Sequence, residues 1–403
     1  MKHRSLGFAA LAAIGTSLAA QGQGLQPALT AARNSKPIVD LRLRSESVDQ
    51  TGLAGKAHAV TLRGRIGFET GKAWGTSLLA EGDLLGPFDS SYNSSVNGKT
   101  AYPVVPDPET YEVNRLQLTN TSITGTTITL GRQRIALDDH RFVGNVGWRQ
   151  NEQTFDAVRV VNTSIPNVTV DLSYVDQVNR VFGKDSPAGR YTGSTWLANV
   201  AYAFPAGKLT GFAYLLDFDE SPADSSETVG LRFTGERPMS PVKLTWVVSF
   251  ARQTERGNNP IDYDANYYTA ELTGTFRHYS VGAGVETMEG DGVRGFATPL
   301  ATLHRFSGWA DKFLTTPPNG LETRYVTLGY ARNGFVGLDA VSASAVYNEF
   351  RSDRPGVDYG SEIDVQLQAK WRRFNVLLKY ADYDADAFAT DTSKYWAEVN
   401  YVW

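Results

Sequence analysis

The sequence predicts an all-β protein, a transmembrane β-barrel of about eighteen antiparallel strands of the outer-membrane type. Three observations lead there. Apolar and polar positions alternate in segments of roughly 9 to 13 residues along most of the chain. Short turns and long loops alternate between those segments. The first residues read as an export leader. Composition agrees: of 403 residues, 38 are Gly, 19 are Tyr and none is Cys. Tyr, Thr and Gly suit strands and turns better than helices. A chain without cysteine crosses an oxidising compartment without mispairing, and it has no thiolate to ligate zinc or an iron–sulfur cluster.

In MKHRSLGFAALAAIGTSLAAQGQG, Lys2 and Arg4 form a basic start, Leu6 to Leu18 an apolar run, and Ser17, Ala19 and Ala20 suit cleavage. Residues 1–20 are therefore expected to be a signal peptide. The run is too short for a spanning helix, which takes about 20 residues. Residues 21–36 are expected to be a periplasmic leader and residues 37–403 the barrel. The formal net charge is −4 and becomes more negative once Lys2 and Arg4 are removed. Such a protein is poorly suited to binding nucleic acid through phosphates.

The strands are expected to start near Pro37, Ala59, Gly75, Tyr111, Gly125, Thr154, Asn167, Thr195, Lys208, Ser226, Val242, Ala265, Ser280, Glu322, Gly337, Tyr359, Phe374 and Ser393. In the first, Val39, Leu41 and Leu43 alternate with Asp40, Arg42 and Arg44. In the second, Val60, Leu62, Ile66 and Phe68 alternate with Thr61, Arg63, Arg65 and Glu69. An arginine facing lipid near the midplane costs about 2–4 kcal/mol, so these guanidinium groups should face the interior. Near the C-terminus, Ile363, Val365, Leu367 and Ala369 oppose Glu362, Asp364, Gln366 and Gln368. In the last strand Tyr395, Ala397, Val399, Tyr401 and Trp403 share one face, an aromatic ending suited to the barrel-assembly machinery.

Every second connection is short: GKAW at 71–74, PAG at 205–207, RNGF at 332–335 and RRF at 372–374. The others are long, notably 86–109, 135–153, 178–194 and 290–321. This asymmetry places both termini in the periplasm and the long loops outside. Eighteen strands leave a water-filled lumen.

The same reading puts Arg132 and Arg134 on an inward strand face, Asp138 to Gln150 in the following loop, and Asp156 and Arg159 on the returning strand. Arginines two apart present guanidinium groups about 7 Å apart along a strand, a ladder for carboxylates held in planar forks. Interspersed carboxylates keep each step weak enough to release the solute. His140, Arg141 and Arg149 in this loop, and His304, Arg305, Trp309 and Lys312 in the 290–321 loop, are candidates for a constriction folded into the pore. The Asp138–His140 triplet could hold a metal only with ligands from elsewhere. A barrel hydrolase built on His140 or His304 is the enzymatic rival, although no G-x-S-x-G motif occurs. No metal, cofactor or catalytic residue is expected.

The stretches LGRQRIALDDHRFVGNVGWRQNEQTFDAVRV, beginning at Leu130, and FATPLATLHRFSGWADKFLTTPPNGLET, from Phe296 to Thr323, resemble the alginate export family. YEVNRLQL at 111–118 also fits it. The resemblance implies an eighteen-stranded outer-membrane porin that passes an anionic polysaccharide or uronate oligosaccharide through a lumen lined by arginines and a few carboxylates. The lining candidates are Arg42, Arg44, Arg63, Arg65, Arg115, Arg132, Arg134, Arg159 and Asp156. The alternative is a general or small-anion diffusion porin. Outer-membrane lipid and lipopolysaccharide would surround a monomeric barrel.

Overall fold

The computed structural model describes residues 24–403; the expected signal peptide lies outside the described residues. Eighteen antiparallel strands form one closed sheet. They are β1 (Lys36–Gln50), β2 (Ala57–Glu69), β3 (Thr76–Ser91), β4 (Thr110–Asn120), β5 (Thr126–Gln133), β6 (Thr154–Asn162), β7 (Val168–Asn179), β8 (Arg190–Phe204) and β9 (Gly207–Leu216). There follow β10 (Ser226–Met239), β11 (Val242–Glu255), β12 (Asp264–Phe276), β13 (Tyr279–Met288), β14 (Leu321–Phe335), β15 (Leu338–Arg351), β16 (Asp358–Trp371), β17 (Phe374–Ala385) and β18 (Thr392–Val402). Each pairs with its sequence neighbours, and β1 closes on β18 from Asp40↔Val402 to Gln50↔Thr392. Closure leaves no terminal strand edge in the bilayer. Ahead of the barrel, α1 (Gln26–Arg33) meets the turn between β2 and β3, where the Gly71 N–H donates to the Ala31 carbonyl at 2.9 Å.

The observed strand starts lie within two residues of the expected ones except at β8, which begins at Arg190 rather than near Thr195. Two connections differ as well. RNGF at 332–335 belongs to the end of β14, and the turn is made by Val336 and Gly337 at φ 48° and 79°. The first long loop begins after Ser91 rather than at 86, because β3 goes on pairing with β2, past a bulge at Phe88, as far as His58↔Ser91.

Outward positions such as Leu41, Leu43, Leu62, Ile66, Leu84, Leu172, Val200 and Leu367 are exposed and apolar, while their inward neighbours include buried Arg44, Arg63, Arg65 and Asp364. This is the inverse of a soluble protein and fits a wall with lipid outside and polar groups within. A bulge in β4 refines the alternation. Glu81 pairs with Arg115 and Gly82 with Val113, so Asn114 is the extra residue. Both Asn114 and Arg115 then reach the lumen, while Val113 and Leu116 stay outside.

Two long loops fill much of the lumen. L3 (134–153) follows β5 and L7 (289–320) follows β13. Ile135, Leu137 and Val143 of L3 and Phe296, Leu300 and Phe313 of L7 form one apolar cluster with wall residues Phe212, Tyr214, Tyr267, Phe350 and Tyr383. Phe142 sits between Phe212 and Tyr267, with ring centroids 5.0 and 5.1 Å away. The loops also pair with each other: the Gly144 N–H donates to the Leu300 carbonyl at 2.9 Å and the Thr302 N–H to the His140 carbonyl at 3.0 Å. A hydrophobic core inside the barrel therefore holds the loops against the far wall and leaves charged groups on the β1–β6 side.

Candidate functional site

The lumen face of β1 to β6 carries a band of paired charges. Arg63 pairs with Asp40 at 2.5 Å. Arg65 grips Asp83 through two bonds of 2.6 and 2.7 Å and lies 3.3 Å from Glu152. Arg115 grips Glu81 at 2.8 and 2.7 Å, Arg134 reaches Glu152, and Arg159 reaches Asp171. Arg44 reaches Glu398 at 2.7 Å and lies over the Trp148 ring, while Arg42 donates to the carbonyls of Gly147, Trp148 and Arg149. Such pairs are the form in which arginine tolerates burial. They also make the band a balanced ladder instead of a bare positive stripe.

Exposure separates these residues by role. The side chains of Arg44 and Arg63 are 1% exposed; Arg44 ties the wall to Trp148 of L3, and Arg63 ties β2 to Asp40 of β1. Those of Arg42, Arg115, Arg159 and Arg134 are 13, 16, 22 and 33% exposed and still present N–H groups to the lumen. Glu152, at the base of L3, is buried; burial opposes its charge, but Arg65 and Arg134 hold it down to about 2, so the carboxylate stays ionised.

Arg132 and Asp156 do not lie on the expected face. Arg132 is the cross-strand partner of Leu116 and of Asp156, and next along the same face Leu130 pairs with Val158. Leu116 and Val158 are outward and exposed, whereas the neighbours of opposite parity, Gln133, Phe155 and Ala157, are buried inside. Strict alternation from Ile128 and Leu130 therefore carries Arg132 to the outer side, with Asp156 held to it at 2.7 and 2.8 Å. Arg134 returns to the lumen because the chain has left the sheet after Gln133 and turned into L3.

The constriction candidates divide in the same way. Arg141 is sealed in the core, donating to Glu286 at 2.8 and 3.0 Å and to the Met288 sulfur. Arg149 is buried among Glu46, Asp107 and Asp311. His304 is buried and stacks on Trp148; its Nδ1 contacts Asp311 at 2.7 Å and its Nε2 contacts Lys379 at 2.7 Å. Burial drives its pKa well below the usual imidazole value, so the ring is neutral, donating from Nδ1 and accepting at Nε2. Burial opposes charge on Asp311, yet His304, Lys394 and Arg149 around it hold it well down. Trp309 lies under the Lys379 ammonium at 3.6 Å and donates its backbone N–H to Asp364. His140 is half-buried near Thr302 and Arg305, and burial followed by the Arg305 charge lowers its pKa. Arg305 is exposed and donates to the Asp139 carbonyl. The Asp138–His140 triplet splits its contacts among Asn199, Lys208 and Arg232.

Above the loops is a vestibule of about 370 Å³ lined by Tyr102, Phe182, Arg180, Lys312 and Lys394, among others. Burial and repulsion from Lys394 push Lys312 down to about 8. Asp311 belongs to the charged set of the 290–321 loop in the sequence and Lys394 to the inward face of the last strand, whereas Lys379 and Glu46 carry no mark of their own. Parity places the three wall residues indoors, but only the fold shows that L3 and L7 meet them.

No protein-family model matches the chain, and no curated protein matches it in sequence. Solved structures do match in fold. OccK9 (OpdG) of Pseudomonas aeruginosa is similar with a TM-score of 0.73 at 16% identity, over 92% of this chain and 99% of that one. OccAB4 of Acinetobacter baumannii gives 0.71 at 15% identity over 92% and 98%. P. aeruginosa OpdK, solved with vanillate, gives 0.68 at 15% over 92% and 99%. The resemblance to the alginate export family rests on the quoted segments alone. With its apolar exterior, polar interior and closed eighteen-stranded sheet, the chain has the fold of a bacterial outer-membrane channel barrel.

Proposed function

We propose that this protein is a non-enzymatic outer-membrane channel for small organic anions, with single-ring carboxylates as the best solutes. The observation that carries this reading is the set Arg42, Arg115, Arg134 and Arg159, each partly exposed to the lumen and each balanced by a carboxylate. A carboxylate solute exchanges with those partners by small steps, while the field of the lumen raises its local concentration. The vestibule adds Arg180 and Lys312 at the mouth, beside Tyr102 and Phe182 rings on which a flat solute packs. Vanillate, the aromatic carboxylate present in the OpdK structure, belongs to this class.

The contact of L3 with L7 across the lumen favours small solutes over a polymer, because an extended uronate chain needs a continuous bore. The histidine geometry favours a channel over a hydrolase. His304 accepts at Nε2 from Lys379, where a nucleophile's hydroxyl would have to be. Planar-bilayer recording tests the reading. Vanillate is expected to block current at lower concentration than uronate oligomers, and neutral sugars not to block. Equal indifference to all three would refute it, and preferential block by the oligomers would return the alginate-like reading.

A further inference from the structure

The wall has a seam. β4 and β5 pair only from Leu116↔Arg132 to Asn120↔Ile128, and above Leu116 the edge of β4 facing β5 has no strand partner. β5 ends at Gln133, and L3 leaves for the lumen there. At this seam lies a cavity of about 610 Å³ lined by residues of both faces: outward Ile66, Leu84, Tyr111 and Val113, and lumen-side Asp83 and Glu112. The outward side chains form an apolar strip along it, and Gly82, Asp83 and Glu112 border it where the β4 edge is open.

The polar groups on the outer side are also out of place for lipid. Arg132 and Asp156 lie about 15 Å above the periplasmic turn, taking the usual rise and tilt of barrel strands. Arg132 also donates to the Val113 carbonyl at 3.0 Å, bridging the open edge, and Asn179 donates to Asp156 at 3.3 Å. Higher up, Lys184 of the loop after β7 sits 3.9 Å from the centre of the Tyr111 ring. An ionisable cluster at bilayer depth marks a site where something polar is accommodated. Two cations beside a strip of apolar side chains suit an anionic head with a hydrocarbon body.

We propose that the seam binds an amphiphilic carboxylate, its head held by Lys184 and the spare N–H groups of Arg132, its apolar body along Tyr111, Val113, Leu84 and Ile66. The site is distinct from the arginine band and independent of the reading of that band. The chain has no native cysteine, which permits a direct test in proteoliposomes. Val113→Cys should react with a water-soluble, membrane-impermeant maleimide, whereas Leu172→Cys, outward on an intact stretch of wall, should not. Dodecanoate should protect Val113→Cys, and galacturonate should not. Adding Lys184→Ala or Arg132→Gln should raise the half-protecting dodecanoate concentration about tenfold, the ratio expected for one charge-assisted contact. Lys184 is on an exposed loop, so its replacement leaves the fold intact. Equal inertness of the two cysteines, protection insensitive to both substitutions, or protection in liposomes without added dodecanoate would each overturn the proposal. The last result would show a groove filled by resident lipid.

Discussion

Trp148 and His304 stack face to face, with ring centroids 4.2 Å apart and planes 3° from parallel. One belongs to L3 and the other to L7, and the Lys379 ammonium lies 4.3 Å from the Trp148 ring. The pair is thus a rivet between the loops that narrow the barrel. Replacing Trp148 by Ala should remove about 1–2 kcal/mol of stacking and cation–π attraction. The expected result is larger and noisier single-channel conductance with the barrel still folded. Unchanged conductance would mean that the apolar core alone holds the loops.

Arg115 and Arg159 face the lumen and Arg132 does not. Arg115→Ala and Arg159→Ala should each weaken block by a small carboxylate about fivefold, corresponding to about 1 kcal/mol for one charge in wet surroundings. Arg132→Gln should leave block and reversal potential near the parent values. A large selectivity change in Arg132→Gln would place that guanidinium back in the pathway.

Arg141 tests bracing against contact with solute. Its bidentate bond to Glu286 is buried, and Tyr267 donates to the same carboxylate at 2.8 Å. Arg141→Ala should cost about 3–5 kcal/mol by stranding that carboxylate. Arg141→Met combined with Glu286→Gln should recover most of the loss. Thermal unfolding followed by the gel shift of folded against unfolded barrel measures both.

Lys312 gives the vestibule a pH response. Burial and the neighbouring Lys394 push it down to about 8, so its ammonium is present below that pH and lost above it. Anion preference should therefore fall as pH rises through about 8. Lys312→Arg should flatten the response by keeping the charge, and Lys312→Met should show the weaker preference throughout. A parent profile flat across this range would exclude Lys312 as the source.

Strand positions were legible because lipid and water impose opposite chemistry on alternate residues, a signal that survives without any helix or motif. The loops resisted for the converse reason. Phe142, Phe296 and Phe313 sit in irregular backbone, where no period says what they cover. Arg132 and Arg134 share a parity in the sequence, but the chain leaves the sheet between them, so only Arg134 reaches the lumen while Arg132 stays on the face of Ile128 and Leu130. At Asn114 and Arg115 the bulge alters parity without a sequence mark. Sequence could group the arginines of the band but not say which are spent on Glu398, Asp40 or Glu286.

Gly131 stands where β5 is about to leave β4. Its φ is 109°, and a Cβ there would lie 2.3 Å from the Leu116 carbonyl oxygen. Three residues on, Arg134 is already inside the barrel. The width of the bore and the tightness of the wall are therefore not independent dimensions of this protein. Both are anchored to a single parting of strands, so whatever displaces L3 also tugs on the edge of β4 that β5 leaves unpaired.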